Sequence, residues 1–279
     1  MPSPQTAAGP SAYVSYVDTA RAPSFDLPGH AARSGVRWYV LGHLVSGGDG
    51  CAPRWSGRHE PGGDPVANRI GRLRAEGADA GLSFGGPTGT DLADACASTR
   101  RLTAAYRRMV GAFDADFVDF EPRDDLSLDV VLRRARAVRA LQRERPLHVS
   151  LTLPVGAAGL SERDLAVLRF THEAGAVVST VNLLAPIEPH SAGEGRMHRV
   201  AEAVRAAHRQ VGRVFALRDE AAVWRRIAVT SVLTSPADLD EVDARKLSTF
   251  AVRNELAWLS MRGATPVTDV CRILWRTRG

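Results

Sequence analysis

Eight short apolar or alternating runs, set apart by stretches of helical pattern, constrain this chain more than any other feature. They span Tyr13 to Val17, Arg37 to Val45, Ala80 to Phe84, Asp116 to Glu121, Leu147 to Leu153, Val178 to Leu184, Ile227 to Leu233 and Ala257 to Met261. That alternation argues for parallel strands joined by crossover helices. An even set of eight with no long spare segment predicts an α/β fold closed on itself, a single (β/α)8 TIM barrel over residues 13–279. The 279 residues suit such a barrel, which commonly needs roughly 250. An apolar share of 44% is enough to fill its core.

The intervening segments carry helix signals. Leu92, Cys96, Thr99, Leu102, Tyr106, Met109 and Phe113 recur at steps of three and four, as do Leu128, Val131, Leu132, Ala135, Val138 and Leu141, and each set forms one apolar face. Ser161 with Asp164, and Ser235 with Asp238 and Pro236, mark helix starts, and Gly175 marks a stop. The longest irregular stretch, Ser46 to Asp64, is rich in Gly and Pro and follows the second strand. In a barrel it lies on the C-terminal face, where active-site loops belong.

Composition excludes several classes. The net charge of +5 comes almost wholly from arginine, Lys246 being the only lysine, and the arginines are scattered without an interleaved aromatic run. Nucleic acid is therefore not the expected partner. No segment reaches the roughly 20 apolar residues that span a bilayer, so no membrane partner is expected either. Residues 1–12 form a flexible tail of Pro, Ser and Ala without a signal-peptide pattern, from which a soluble, cytoplasmic protein is expected. Cys51, Cys96 and Cys271 are too few for a disulfide scaffold or a paired zinc site, although a bridge from Cys51 to Cys96 stays open. The eight histidines show no metal-binding spacing, and neither a metal nor another cofactor is expected. Oligomeric state is not legible.

The fourth run, Asp116 to Glu121, holds the chemistry. Side chains alternate along a strand, so Phe117, Asp119 and Glu121 share one face while Val118 and Phe120 share the other. The apolar face packs on helices, and the acidic face points into the barrel mouth. Two carboxylates there can hold different protonation states and act as general acid and base. The plainer alternative has these acids capping a helix or pairing with Arg123.

The strand from Asp114 to Glu121 resembles the DxxDxDxE motif of glycoside hydrolase family 18, the chitinase family: Asp114, Asp119 and Glu121 match, and Phe117 stands where the middle Asp belongs. Ser83-Phe84-Gly85-Gly86 resembles the family's SxGG motif. Tyr13 to Asp18, Leu92 to Cys96, Ser150 to Pro154, Val181-Asn182 and Leu259-Ser260-Met261 resemble segments of a bacterial and archaeal branch. The resemblance implies the barrel fold and a substrate-assisted reaction. In it Glu121 protonates the glycosidic oxygen while Asp119 orients the substrate's acetamide. A second register puts Asp119 and Glu121 on the two Asp positions and Arg123 in the acid's place.

The chain departs from the family pattern where a sugar would sit. After the sixth strand it has Leu183-Leu184-Ala185-Pro186-Ile187-Glu188 in place of the cluster that contains the orienting Tyr. Arg262 stands where the family has the Trp that floors the pocket, and it can stack, bind an anion or simply neutralise the acids. His43, near an aromatic position of the family, is either a core histidine or a catalytic partner. Phe84, Gly85, Phe117, Asn182, Glu188 and Trp55 complete the expected substrate contacts, with Trp55 either lining the pocket or packing its loop. Three functions follow: an acid/base enzyme redirected to a small molecule, such as a bacterial secondary metabolite; a hydrolase of N-acetylglucosamine-containing glycans; or a non-catalytic saccharide-binding protein.

Overall fold

The computed structural model describes residues 9–48 and 50–277. Its strands are β1 (Ala12–Asp18), β2 (Trp38–Ser46), β3 (Pro53–Trp55), β4 (Asp79–Gly85), β5 (Phe117–Glu121), β6 (His148–Pro154), β7 (Thr180–Pro186), β8 (Ile227–Leu233) and β9 (Trp258–Gly263). All but β3 are parallel and neighbour one another in the order β1-β2-β4-β5-β6-β7-β8-β9, and β9 pairs back onto β1 to close an eight-stranded barrel. The helices are α1 (Leu27–Ser34), α2 (Ile70–Ala75), α3 (Leu92–Ala95), α4 (Thr99–Ala112), α5 (Leu128–Gln142), α6 (Glu162–Glu173), α7 (Arg196–Val214), α8 (Glu220–Trp224), α9 (Glu241–Arg253) and α10 (Thr268–Trp275).

Strand parity sorts the core into two parts. Outward residues such as Leu82, Phe84, Val118 and Phe120 join the large cluster beneath the helices, where Phe84 stacks on Phe120 at 5.4 Å and Tyr106 of α4 meets both edge-on. Inward residues Val14, Val40, Phe117, Ala228 and Trp258 form a smaller plug inside the barrel. Phe117 packs edge-on to Trp258 at 5.6 Å and to His148 at 5.4 Å. The position where the family motif has its middle Asp is thus part of an apolar floor. Burial lowers the His148 pKa to about 4, so this floor carries no charge near neutral pH.

Residues 1–8 of the expected N-terminal tail lie outside the described residues. Its remainder is not loose, since Pro10 is buried and Gly9 lies against the His148 ring at the bottom of the barrel.

Helix caps follow the sequence signals. Ser161 accepts from the Asp164 N–H, Ser235 and Asp238 form a reciprocal capping box around a short 3-10 turn, and Gly175 follows α6 with φ of +80°. The apolar face from Leu92 to Phe113 is not one helix. It breaks after α3 and restarts at Ser98, whose side chain accepts from the Arg101 N–H. At the break, Cys96 is joined to Cys51, with Cα atoms 4.5 Å apart. The bridge pins the long second loop, part of which pairs with β2 as the antiparallel β3.

Candidate active site

Each strand delivers its last inward side chain to the C-terminal mouth, and three of these converge on Glu121. His43 Nε2 of β2 lies 2.9 Å from Glu121 Oε2, and Arg262 Nη1 of β9 donates to the same oxygen at 2.6 Å. Both Glu121 and His43 are more than nine-tenths buried, at 8% and 7% exposed. Tyr16 of β1 completes the group, its hydroxyl 3.1 Å from His43 Nδ1 and 3.0 Å from Nε2. With a proton on Nε2, His43 donates to Glu121 and Nδ1 accepts from Tyr16. The Arg262 guanidinium lies over the Tyr16 ring, 3.8 Å from its centroid, close enough for a strong cation–π contact.

Asp119 sits one layer deeper. Ser83 donates to its Oδ2 at 2.9 Å and Thr152 to its Oδ1 at 2.6 Å. Thr152 in turn accepts from Asn182 at 3.0 Å, and Asn182 accepts from Thr230 at 2.9 Å. This hydroxyl and amide chain crosses β4 to β8 and leaves Asp119 3% exposed. The void beside it, among Tyr16, Asn182, Ser260 and Arg262, holds only about 10 Å³ and has no room for a ligand.

The two carboxyls are consequently driven apart. Burial raises both, but at Glu121 the His43 hydrogen bond and the Arg262 charge outweigh it and hold the carboxyl below its ordinary range. At Asp119 burial prevails over the Thr152 hydrogen bond and the more distant Arg262 charge, so the carboxyl lies above its ordinary range. Burial likewise raises the Tyr16 hydroxyl, despite Arg262 beside it.

Above this group opens a cleft of about 750 Å³, with Tyr16, His43, Glu121 and Arg262 on its floor and Pro87, Leu184 and Val232 on its rim. Among the described residues no cluster of His, Cys, Asp and Glu is arranged to hold a metal ion.

Not every expected contact residue reaches the cleft. Phe84 has the parity opposite to Ser83 and points into the helical layer. Trp55 is 0% exposed and packs on Phe113 at 5.7 Å, its indole N–H donating to the Pro61 carbonyl, so it holds the second loop down. Glu188 lies on the surface paired with Arg199. Phe117 lies below Asp119, and Asn182 belongs to the chain that holds Asp119. Arg123 donates to the Gly89 carbonyl at 2.7 Å and pairs with Asp125, away from the acid's place.

Gly85 and Gly86 shape the site through backbone. A Cβ on Gly85 would stand 2.3 Å from the Glu121 carbonyl, and one on Gly86 would stand 2.4 Å from the His43 ring, both at positive φ. Sequence reasoning missed Tyr16, Ser83, Thr152 and Thr230. Parity from Glu121 and its register neighbours is the signal that finds them, since all four face inward.

No protein-family model matches the chain, and no curated protein matches it in sequence. Solved structures do match. Active domain 2 of a chitinase from Pyrococcus furiosus superposes with a TM-score of 0.82 at 19% identity, over 96% of each chain. The catalytic domain of a family 18 chitinase from the fern Peteris ryukyuensis gives 0.64 at 10% identity, over 90% of this chain and 91% of that one. The spore cortex-lytic enzyme SleL of Bacillus cereus gives 0.65 at 8% identity, over 96% of this chain and 74% of that one. The chain therefore has a family 18 chitinase-like (β/α)8 fold. The likeness establishes the scaffold, and chemistry has to be argued from the site.

Proposed function

We propose that this chitinase-like barrel is an acid–base enzyme acting on a hydroxylated, saccharide-like small molecule, with His43 as the proton carrier. The observation that carries this reading is the double engagement of Glu121. A carboxylate held by Arg262 at 2.6 Å and His43 at 2.9 Å is a poor proton donor to a glycosidic oxygen. It is well placed to orient an imidazole and to stabilise the imidazolium that forms when His43 Nδ1 takes the Tyr16 hydroxyl proton as Tyr16 accepts one from the substrate. Arg262 has five N–H donors, of which one goes to Glu121, and its charge stabilises an oxyanion developing on a substrate in the cleft. Asp119, buried and held from both oxygens by Ser83 and Thr152, acts through position: it ties β4, β5 and β6 together beneath the reactive groups.

The saccharide-like character of the substrate is supported by the neighbours, several of which are chitinases, one of them described in complex with chito-oligosaccharides. The Cys51–Cys96 bridge supports a different location from the expected cytoplasm, because such bridges persist in oxidising compartments.

Incubation with a panel of N-acetylated and hydroxy-carbonyl sugars in deuterated water tests the reading. The expected result is deuterium incorporation next to a carbonyl, lost equally in His43→Ala and Glu121→Gln. Glu121-dependent release of nitrophenol from a chromogenic N-acetylchitobioside would overturn it in favour of the hydrolase. Saccharide binding with neither exchange nor cleavage would overturn it in favour of a non-catalytic binding protein.

A further inference from the structure

The cleft above Glu121 does not end at the barrel axis. It continues over the top of β1 and descends between β1, α1 and α10, where Tyr13, Phe25, His30, Met261, Cys271 and Trp275 line it. On the outer face of a barrel strand, side chains normally pack tightly under helices. Here Ser15, on that face and inside this slot, is only partly buried, so α1 and α10 leave a gap above it. From Asp18 at the mouth to Tyr13 at its foot the slot follows roughly 16 Å of strand.

Its walls are apolar and aromatic. His30 meets Phe25 at 5.2 Å and Trp275 edge-on at 5.3 Å, and its Nδ1 is 2.8 Å from the Tyr39 hydroxyl. Burial, reinforced by Arg33, holds the His30 imidazole below its ordinary value, which keeps this wall uncharged near neutral pH. Cys271 is buried at 2% exposure and is the one free thiol among the described residues.

We propose that this slot binds the alkyl tail of an amphiphilic substrate whose polar head occupies the mouth at His43, Glu121 and Arg262. The placement of the head rests on the function proposed above, whereas the placement of the tail rests on the slot and its continuity with the mouth. The substrate class is then a small alkylated saccharide or a similarly polar-headed lipid, and unsubstituted chitin leaves the slot empty.

Titration of the full chain with methyl, butyl and octyl N-acetyl-β-glucosaminides, kept below micelle formation and followed by tryptophan fluorescence, tests the proposal. Each buried methylene is worth about fourfold in affinity, so octyl, four methylenes longer, is expected to bind on the order of 200-fold more tightly than butyl. Ser15→Phe, which fills the slot, is expected to bring octyl down to the level of methyl. Should that variant not fold, the heat-capacity change of binding to the wild type gives the same reading: it is markedly more negative for octyl than for methyl. Affinity independent of chain length, or an equal heat-capacity change with either ligand, would overturn the tail site whatever happens at the head. Chain-length dependence together with indifference to Arg262→Met would keep the tail site and overturn the placement of the head.

Discussion

Replacing Arg262 by Met tests the electrostatic heart of the mouth with a side chain of similar reach. The wild-type ion pair is 2.6 Å long, its side chains are only 12% and 10% exposed, and solvent screening therefore does little to weaken it. Removing one member of such a pair leaves an uncompensated buried charge, at a cost of about 3–5 kcal/mol. For a chain of this size that corresponds to a fall in melting temperature on the order of 10 °C at pH 7. The pH dependence carries the finer test. In the wild type, Glu121 is depressed in the folded state, so its contribution is present above the ordinary carboxylate value and is lost as pH falls through the folded value. Without Arg262, only His43 is left to oppose burial, so the carboxyl lies higher than in the wild type and the variant's deficit relative to the wild type widens as pH rises from acid toward neutral. Urea unfolding of both proteins from about pH 4 to about pH 8 measures the difference. A gap that does not widen with pH, or a fall in melting temperature of less than about 2 °C at pH 7, would mean that Arg262 does not hold the Glu121 charge.

Three further outcomes are expected. The double variant Glu121→Gln with Arg262→Met should lie within about 1 kcal/mol of the wild type, because both charges leave together, and a loss equal to the sum of the single variants would contradict a direct pair. Reducing the Cys51–Cys96 bridge should cost about 2–4 kcal/mol, seen as a lower urea midpoint in dithiothreitol, and an unchanged midpoint would mean that the second loop holds without it. Asp119→Asn should gain stability relative to the wild type as pH rises from the ordinary Asp value upward, because the raised carboxyl pays to ionise in the folded state; a relative loss over that range would show that Asp119 ionises freely.

The barrel was legible because its period is simple. Apolar alternation placed all eight strands, although Val178 and Ser179 precede β7, which begins at Thr180. The caps at Ser161 and Ser235 were legible because local hydrogen bonding needs only neighbours in sequence. The apolar face from Leu92 to Phe113 proved to be two helices, because periodicity continues across the extended Cys96 and does not register the new start that the Ser98 side chain caps.

At the site, strand parity brought Asp119 and Glu121 inward together, and strand ends yielded His43 and Arg262. The same parity, applied strictly, excludes Phe84, one residue from inward Ser83. Glu188 was misplaced, and Trp55 was left open between the pocket and its loop, because loop residues carry no period and their partners, Arg199 and Phe113, are fixed only by the folded chain. Tyr16 was within reach of the sequence as the inward neighbour of Val14. Its role was not, because that depends on the Arg262 guanidinium closing over its ring.

In the proposed function, Glu121 is a carboxylate held by His43 and Arg262, and not a proton donor. A difference infrared titration, wild type minus Glu121→Gln, reads that carboxyl directly through its C=O stretch. A carboxylate is expected down to below the ordinary Glu value of 4.5, with no protonated band at neutral pH. A protonated carboxyl persisting to about pH 6 or above, the range of a raised catalytic acid, would contradict it.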